Sequence, residues 1–119
     1  MRSFKSSNKQ VTKLISGRNY LIADSYNWIN GRDQEISMTS MDAQYQISCA
    51  KWLVTCLGEI EGVGEEAQME LLPLIRSKMN EFEEIFPLAL KREDERSRLS
   101  RQQDFDETVE KFKNLIDSF

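Results

Sequence analysis

Two glutamate pairs are spaced for joint work, Glu81 with Glu84 and Glu107 with Glu110, each an i, i+3 pair on one face of a helix. Two such pairs on adjacent helices offer four carboxylates to one magnesium ion, the donor arrangement of all-α nucleotide pyrophosphohydrolases. The same spacing arises in any acidic helix, and no nucleotide-clamping motif accompanies it here. A solvated charged face is therefore the expectation, and a carboxylate- and magnesium-dependent nucleotide hydrolase is the third reading of function.

The remaining residue types narrow the chemistry further. The 119-residue chain contains no histidine, which removes the commonest general base near neutral pH and the commonest zinc ligand. It has no G-x-G-x-x-G, Walker or G-x-S-x-G motif. Cys49 and Cys56 lie seven residues apart, so on one helix their Cα atoms are about 10.5 Å apart, beyond the ~7 Å reach of a disulfide. Both fall on an apolar stripe and are read as small core residues. No catalytic residue, metal site or cofactor is expected.

Basic residues form the sharper candidate. Arg2, Lys5, Lys9, Lys13 and Arg18 occupy the first 23 residues without a single acid, a charge of +5, whereas the remaining 96 residues carry 11 bases and 20 acids, net −9. With Phe4 and Tyr20 interspersed, such an arm can contact phosphates and stack on bases. Five phosphate contacts on duplex DNA give a log–log salt slope of about −4.5. A body at −9 repels the same polyanion. The favoured expectation is that the arm docks on an acidic protein or on the acidic side of its own second helix, around Glu65 to Glu84, through screened pairs worth under ~1 kcal/mol each.

The elements that must position these groups are three apolar stripes: Tyr45, Cys49, Trp52, Cys56, Ile60; Leu72, Ile75, Met79, Phe82, Phe86; and Phe105, Val109, Phe112, Ile116, Phe119. Steps of three and four put each set on one side of a helix. Stripes of matched length, about 21 to 23 Å, predict an all-α antiparallel three-helix bundle with main helices over 40–61, 65–86 and 101–118. Trp52, Phe82 and Phe112 are expected to face one another. Ile47, Ala50, Leu53, Val54 and Leu57 widen the first stripe and make its helix the central one, with a polar arc of Gln44, Ser48, Lys51, Thr55 and Glu59.

Boundaries follow from local chemistry. Thr39 and Asp42 have capping-box spacing, and Gly58, Gly62 and Gly64 are read as the stop near residue 61. Pro73 predicts a kink or fresh start near residue 72, and Pro87 an end or bend at Phe86. Eight of the eleven residues from Lys91 to Arg101 are charged and are read as an exposed connector, with the third helix capped at Ser100 or Asp104. From Tyr20 to Ile29 the spacing of Ile22, Tyr26 and Ile29 favours a short helix, against the hairpin signal of Asn30-Gly31.

This predicts a basic arm over 1–18 and one helical domain over 19–119. No apolar run approaches the ~18 residues of a membrane span, and no secretory signal opens the chain, so the expected place is the cytoplasm. The function expected is a non-enzymatic protein-binding module, a regulator, adaptor or inhibitor, acting through its acidic faces, its arm and the aromatic residues Tyr20, Tyr26 and Trp28. A second copy of the chain or a partner helix would cover any groove that the three rods leave open. A nucleic-acid-associated accessory protein using the arm is the second reading.

Overall fold

The computed structural model describes residues 18–119; Arg2, Lys5, Lys9 and Lys13 lie outside the described residues. Three helices carry the fold: α1 (Ala43–Ile60), α2 (Glu65–Lys91) and α3 (Glu95–Asp117). Short connections, 61–64 and 92–94, force consecutive helices to run antiparallel. The all-α three-helix expectation holds. So does the central place of α1, which packs on both other helices more extensively than they pack on each other. Its inward residues Ile47, Ala50, Leu53, Leu57 and Ile60 are fully buried, and the expected polar arc is exposed.

The stripes are not wholly inward. Phe82 and Phe112 are buried, but Trp52 is 58% exposed and Tyr45 and Phe119 are exposed too, so the expected meeting of Trp52 with the two phenylalanines does not occur. The helices are also unequal, at 18, 27 and 23 residues. Phe86 and Phe105 stack at 3.9 Å with a 5° interplanar angle and join α2 to α3.

Helix ends differ from their sequence signals for identifiable reasons. Thr39 does not cap α1: Asp42 does, accepting from the Tyr45 amide at 2.8 Å, while residues Met38–Ser40 form a 3-10 turn. The start of α1 is pinned by Gln46, a buried side chain whose Nε2 donates to the carbonyls of Met41 (3.2 Å) and Met38 (3.4 Å). Glu65 and Glu66 open α2 where the helix dipole favours carboxylates. Gln68 Nε2 donates to the carbonyls of Ile60, Glu61 and Val63, each at 3.1 Å, which ties the connection after α1 to the first turn of α2.

Both prolines lie inside α2, which runs without interruption through Pro73 and Pro87 to Lys91. Each ring removes one helical donor, but both sit on the exposed side, and the flanking turns are held by buried Leu71, Ile75, Phe82, Phe86 and Ala89. The charged stretch is a connector only over residues 92–94, and from Glu95 onward it is helix. Asp94 caps α3 by accepting from the Ser97 amide at 3.1 Å, and the charged residues form the helix's first, solvent-facing turns. Arg101 ties those turns to Glu93 (3.3 Å) and to Gln44 of α1 (2.8 Å).

Before α1 the short helix is replaced by a four-residue 3-10 turn, Asn19–Ile22, and a hairpin of β1 (Asn27–Ile29) and β2 (Glu35–Ser37). The strands pair antiparallel, with Trp28 opposite Ile36. Asn30 organises the connection: its Oδ1 accepts from the amides of Arg32 (2.9 Å) and Gln34 (3.0 Å). Asp33, rather than Gly31, takes the left-handed conformation (φ 59°). Trp28 supplies the burial that a helix would have needed Tyr26 and Ile29 to share.

Candidate functional site

Two polar sites gather where this N-terminal segment meets the helices. The first lies on α2. Lys78 is buried, and its ammonium group donates to the carbonyls of Asp24 (2.9 Å) and Asn27 (2.8 Å) and to Glu81 Oε1 (3.1 Å). Glu81 Oε1 also accepts from the Tyr26 amide at 3.1 Å, and Glu84 Oε1 accepts from the Tyr26 hydroxyl at 2.6 Å. Being the acceptor of that bond, Glu84 raises the pKa of the Tyr26 phenol. Tyr26 has φ 61°, in the left-handed region, and these two bonds hold it there. Glu81 and Glu84 thus anchor the start of the hairpin to α2. They do not join Glu107 and Glu110 in a cluster: among the described residues no group of three or more His, Cys, Asp or Glu could hold a metal ion.

The second site is an open cleft of about 470 Å³ between the 3-10 turn, the hairpin and α1. Tyr20 and Trp28 form its floor, stacked with ring centroids 4.5 Å apart and planes 15° from parallel, and Trp28 rests in turn on Phe82 (5.5 Å, 60°). This ties the cleft to the core of α2. The walls are Trp52 and Glu59 from α1, Arg18 and Asn19 from the turn, and Asn30 and Asp33 from the hairpin. Arg18 pairs with Glu59, and Asn19 Nδ2 donates to Asp33 Oδ1 at 3.1 Å. The turn is therefore clamped on both sides.

Burial, and then the neighbouring Cys56 thiol, push the Tyr20 hydroxyl well above its usual pKa. Burial also raises Cys56, against the opposing pull of Arg18 and Tyr20. Both groups stay protonated at neutral pH, which makes them packing and hydrogen-bonding groups rather than nucleophiles. Cys49, deeper in α1, is pushed up to about 12 by burial.

Of the aromatic residues read from sequence as partner contacts, Tyr20 and Trp28 line this cleft, whereas Tyr26 sits apart, on Glu84. Of the basic arm, Arg18 alone falls within the described residues, and its carboxylate partner is Glu59 of α1, not the Glu65 to Glu84 side of α2. Trp52, Glu59, Asn19 and Asp33 were missed. For Trp52 a signal existed: its neighbours on one side, Ser48, Thr55 and Glu59, are polar while those on the other, Cys49 and Cys56, are apolar, which marks it as lying at the edge of the apolar arc.

Known proteins add no assignment. Comparisons with protein-family models, curated proteins and solved structures each find no match. Among the described residues no helix is long and apolar enough to cross a membrane.

Proposed function

We propose that this chain is a small, non-enzymatic protein-binding module of the cytoplasm, a regulator, adaptor or inhibitor, and that the Trp52 cleft is where its partner docks. The observation that carries this reading is Trp52, 58% exposed in the wall of a cleft whose floor is an aromatic stack. Covering the exposed part of a tryptophan that buries up to ~250 Å² is worth up to about 3.6 kcal/mol at ~25 cal/mol per Å². Tryptophan in a concave, polar-rimmed setting is the usual anchor of an interface. A rigid floor, fixed by Phe82 and by the clamps at Arg18 and Asn19, lowers the ordering cost of binding.

Charge favours a protein over a polyanion. Twelve of the sixteen bases lie in the described residues, against all twenty acids, a net charge of −8, and this body opposes nucleic acid at low salt. Replacing Trp52 by alanine tests the proposal. The variant should stay folded, with stability within about 0.5 kcal/mol of the parent because the side chain is mostly in water. It should lose the protein that the tagged parent captures from the cells that make it, as identified by mass spectrometry. Equal recovery of that protein by both forms refutes the assignment of the cleft.

A further inference from the structure

We infer that the group recognised in the Trp52 cleft is a cation, the guanidinium or ammonium of a basic segment on a partner protein. The inference rests on the reading of the cleft as a protein-docking site and specifies its chemistry. Three features of the walls select for positive charge.

The first is the balance of donors and acceptors. Asn19 Nδ2 donates to Asp33 Oδ1, and Asn30 Nδ2 to Gln34 Oε1 at 3.1 Å. Arg18 pairs with Glu59 Oε1. The second carboxylate oxygens of Asp33 and Glu59 and the amide oxygen of Asn19 have no hydrogen-bond partner among the described residues. All three are acceptors. A group that donates several hydrogen bonds and carries positive charge satisfies all three and matches the two carboxylates, as arginine and lysine side chains do.

The second feature is Trp52. Its exposed indole face offers the negative end of a ring quadrupole to a cation, beside carboxylates that supply the counter-charge. The third is field. Among the described residues one base, Arg18, faces Asp33 and Glu59 in this cleft, and the described body is at −8 within a full chain at −4. An anionic ligand would find a guanidinium already paired and an opposing potential. A basic segment finds attraction at both ranges.

The test uses the full chain and three hexapeptide probes, hexa-arginine, hexaglutamine and hexaglutamate, followed by titration calorimetry at 50 mM salt and, in forms that keep Trp52, through its indole N–H resonance. Hexa-arginine should bind saturably, and more weakly as salt rises. Trp52→Ala should weaken it two- to fivefold, the size of an exposed cation–π contact, with Trp52→Phe in between. Asp33→Asn should weaken it by up to about fivefold. Asparagine tolerates the left-handed backbone at position 33, so this variant removes charge without straining the turn.

No saturable binding, hexaglutamine binding as tightly as hexa-arginine, or affinities unmoved by both Trp52→Ala and Asp33→Asn would each overturn the inference. If the parent is inert while a variant with Arg2, Lys5, Lys9 and Lys13 changed to glutamine binds hexa-arginine, the cation comes from this chain itself, and the assignment to a partner falls. Any of these results alongside Trp52-dependent capture of a protein would remove the cation but leave the docking site standing.

Discussion

Lys78→Met removes the ammonium group on which the N-terminal segment is fastened, while keeping the apolar stem. The parent side chain is 4% accessible and its partner Glu81 12%, so the variant strands a carboxylate largely out of water. Breaking a buried pair by removing one partner costs about 3–5 kcal/mol. The lower end applies, because Glu81 keeps the Tyr26 amide at 3.1 Å and the Asp24 carbonyl keeps the Asn27 amide at 2.9 Å. A loss of about 3 kcal/mol is a large share of the 5–15 kcal/mol typical of a domain. With a urea slope of about 1.5 kcal/mol/M, the unfolding midpoint should fall by about 2 M. Lys78→Met with Glu81→Gln removes the stranded charge as well, so its midpoint should lie above that of the single variant. A fall of less than about 0.5 M in the single variant, or a double variant no more stable than the single, would show that the pair does not fasten the hairpin.

Pro73→Ala should restore one helical hydrogen bond on the exposed side of α2 and stabilise the protein by about 1–3 kcal/mol. A urea midpoint raised by about 1 M would support this, and an unchanged or lower midpoint would contradict it. Cys49, pushed up to about 12, should have about a thousandfold less thiolate at pH 8 than an ordinary thiol, so a thiol reagent should label it only through unfolding. The raised value also sets a sign. Between about pH 9 and 12 the unfolded thiol ionises and the folded one does not, so Cys49 alone lowers stability by about 1.4 kcal/mol per pH unit there, and the raised Cys56 and Tyr20 groups add to the fall in the same direction. Rapid labelling of the folded protein, or stability unchanged up to pH 11, would contradict the burial of this thiol.

Helix existence was legible because it rests on periodicity, which is local. The spacing through Ile47, Ala50, Leu53 and Leu57, and through Ile75, Met79, Phe82 and Phe86, specifies which side of each rod turns inward. Helix ends were less so. Proline and dense charge signal breaks locally, yet Pro73 and Pro87 are carried by buried residues on either side, and the charged start of α3 is held by Asp94 and Arg101. These are energies supplied by other elements, and no single window of sequence contains them.

What the residues by themselves determined is the class of fold, the central place of α1, the exclusion of histidine chemistry and the separation of charge along the chain. The tertiary structure alone decided that residues 19–37 form a 3-10 turn and hairpin, that Glu81 and Glu84 serve as anchors for Tyr26 and Lys78, and that Trp52 lies open beside Glu59 and Asp33. The division has a physical cause. Helical periodicity reports how one segment divides between core and water, whereas a cleft depends on which distant segments cover an edge. The cover here is joined through Arg18 to Glu59 and Lys78 to Asp24, contacts that span 41 and 54 residues of chain.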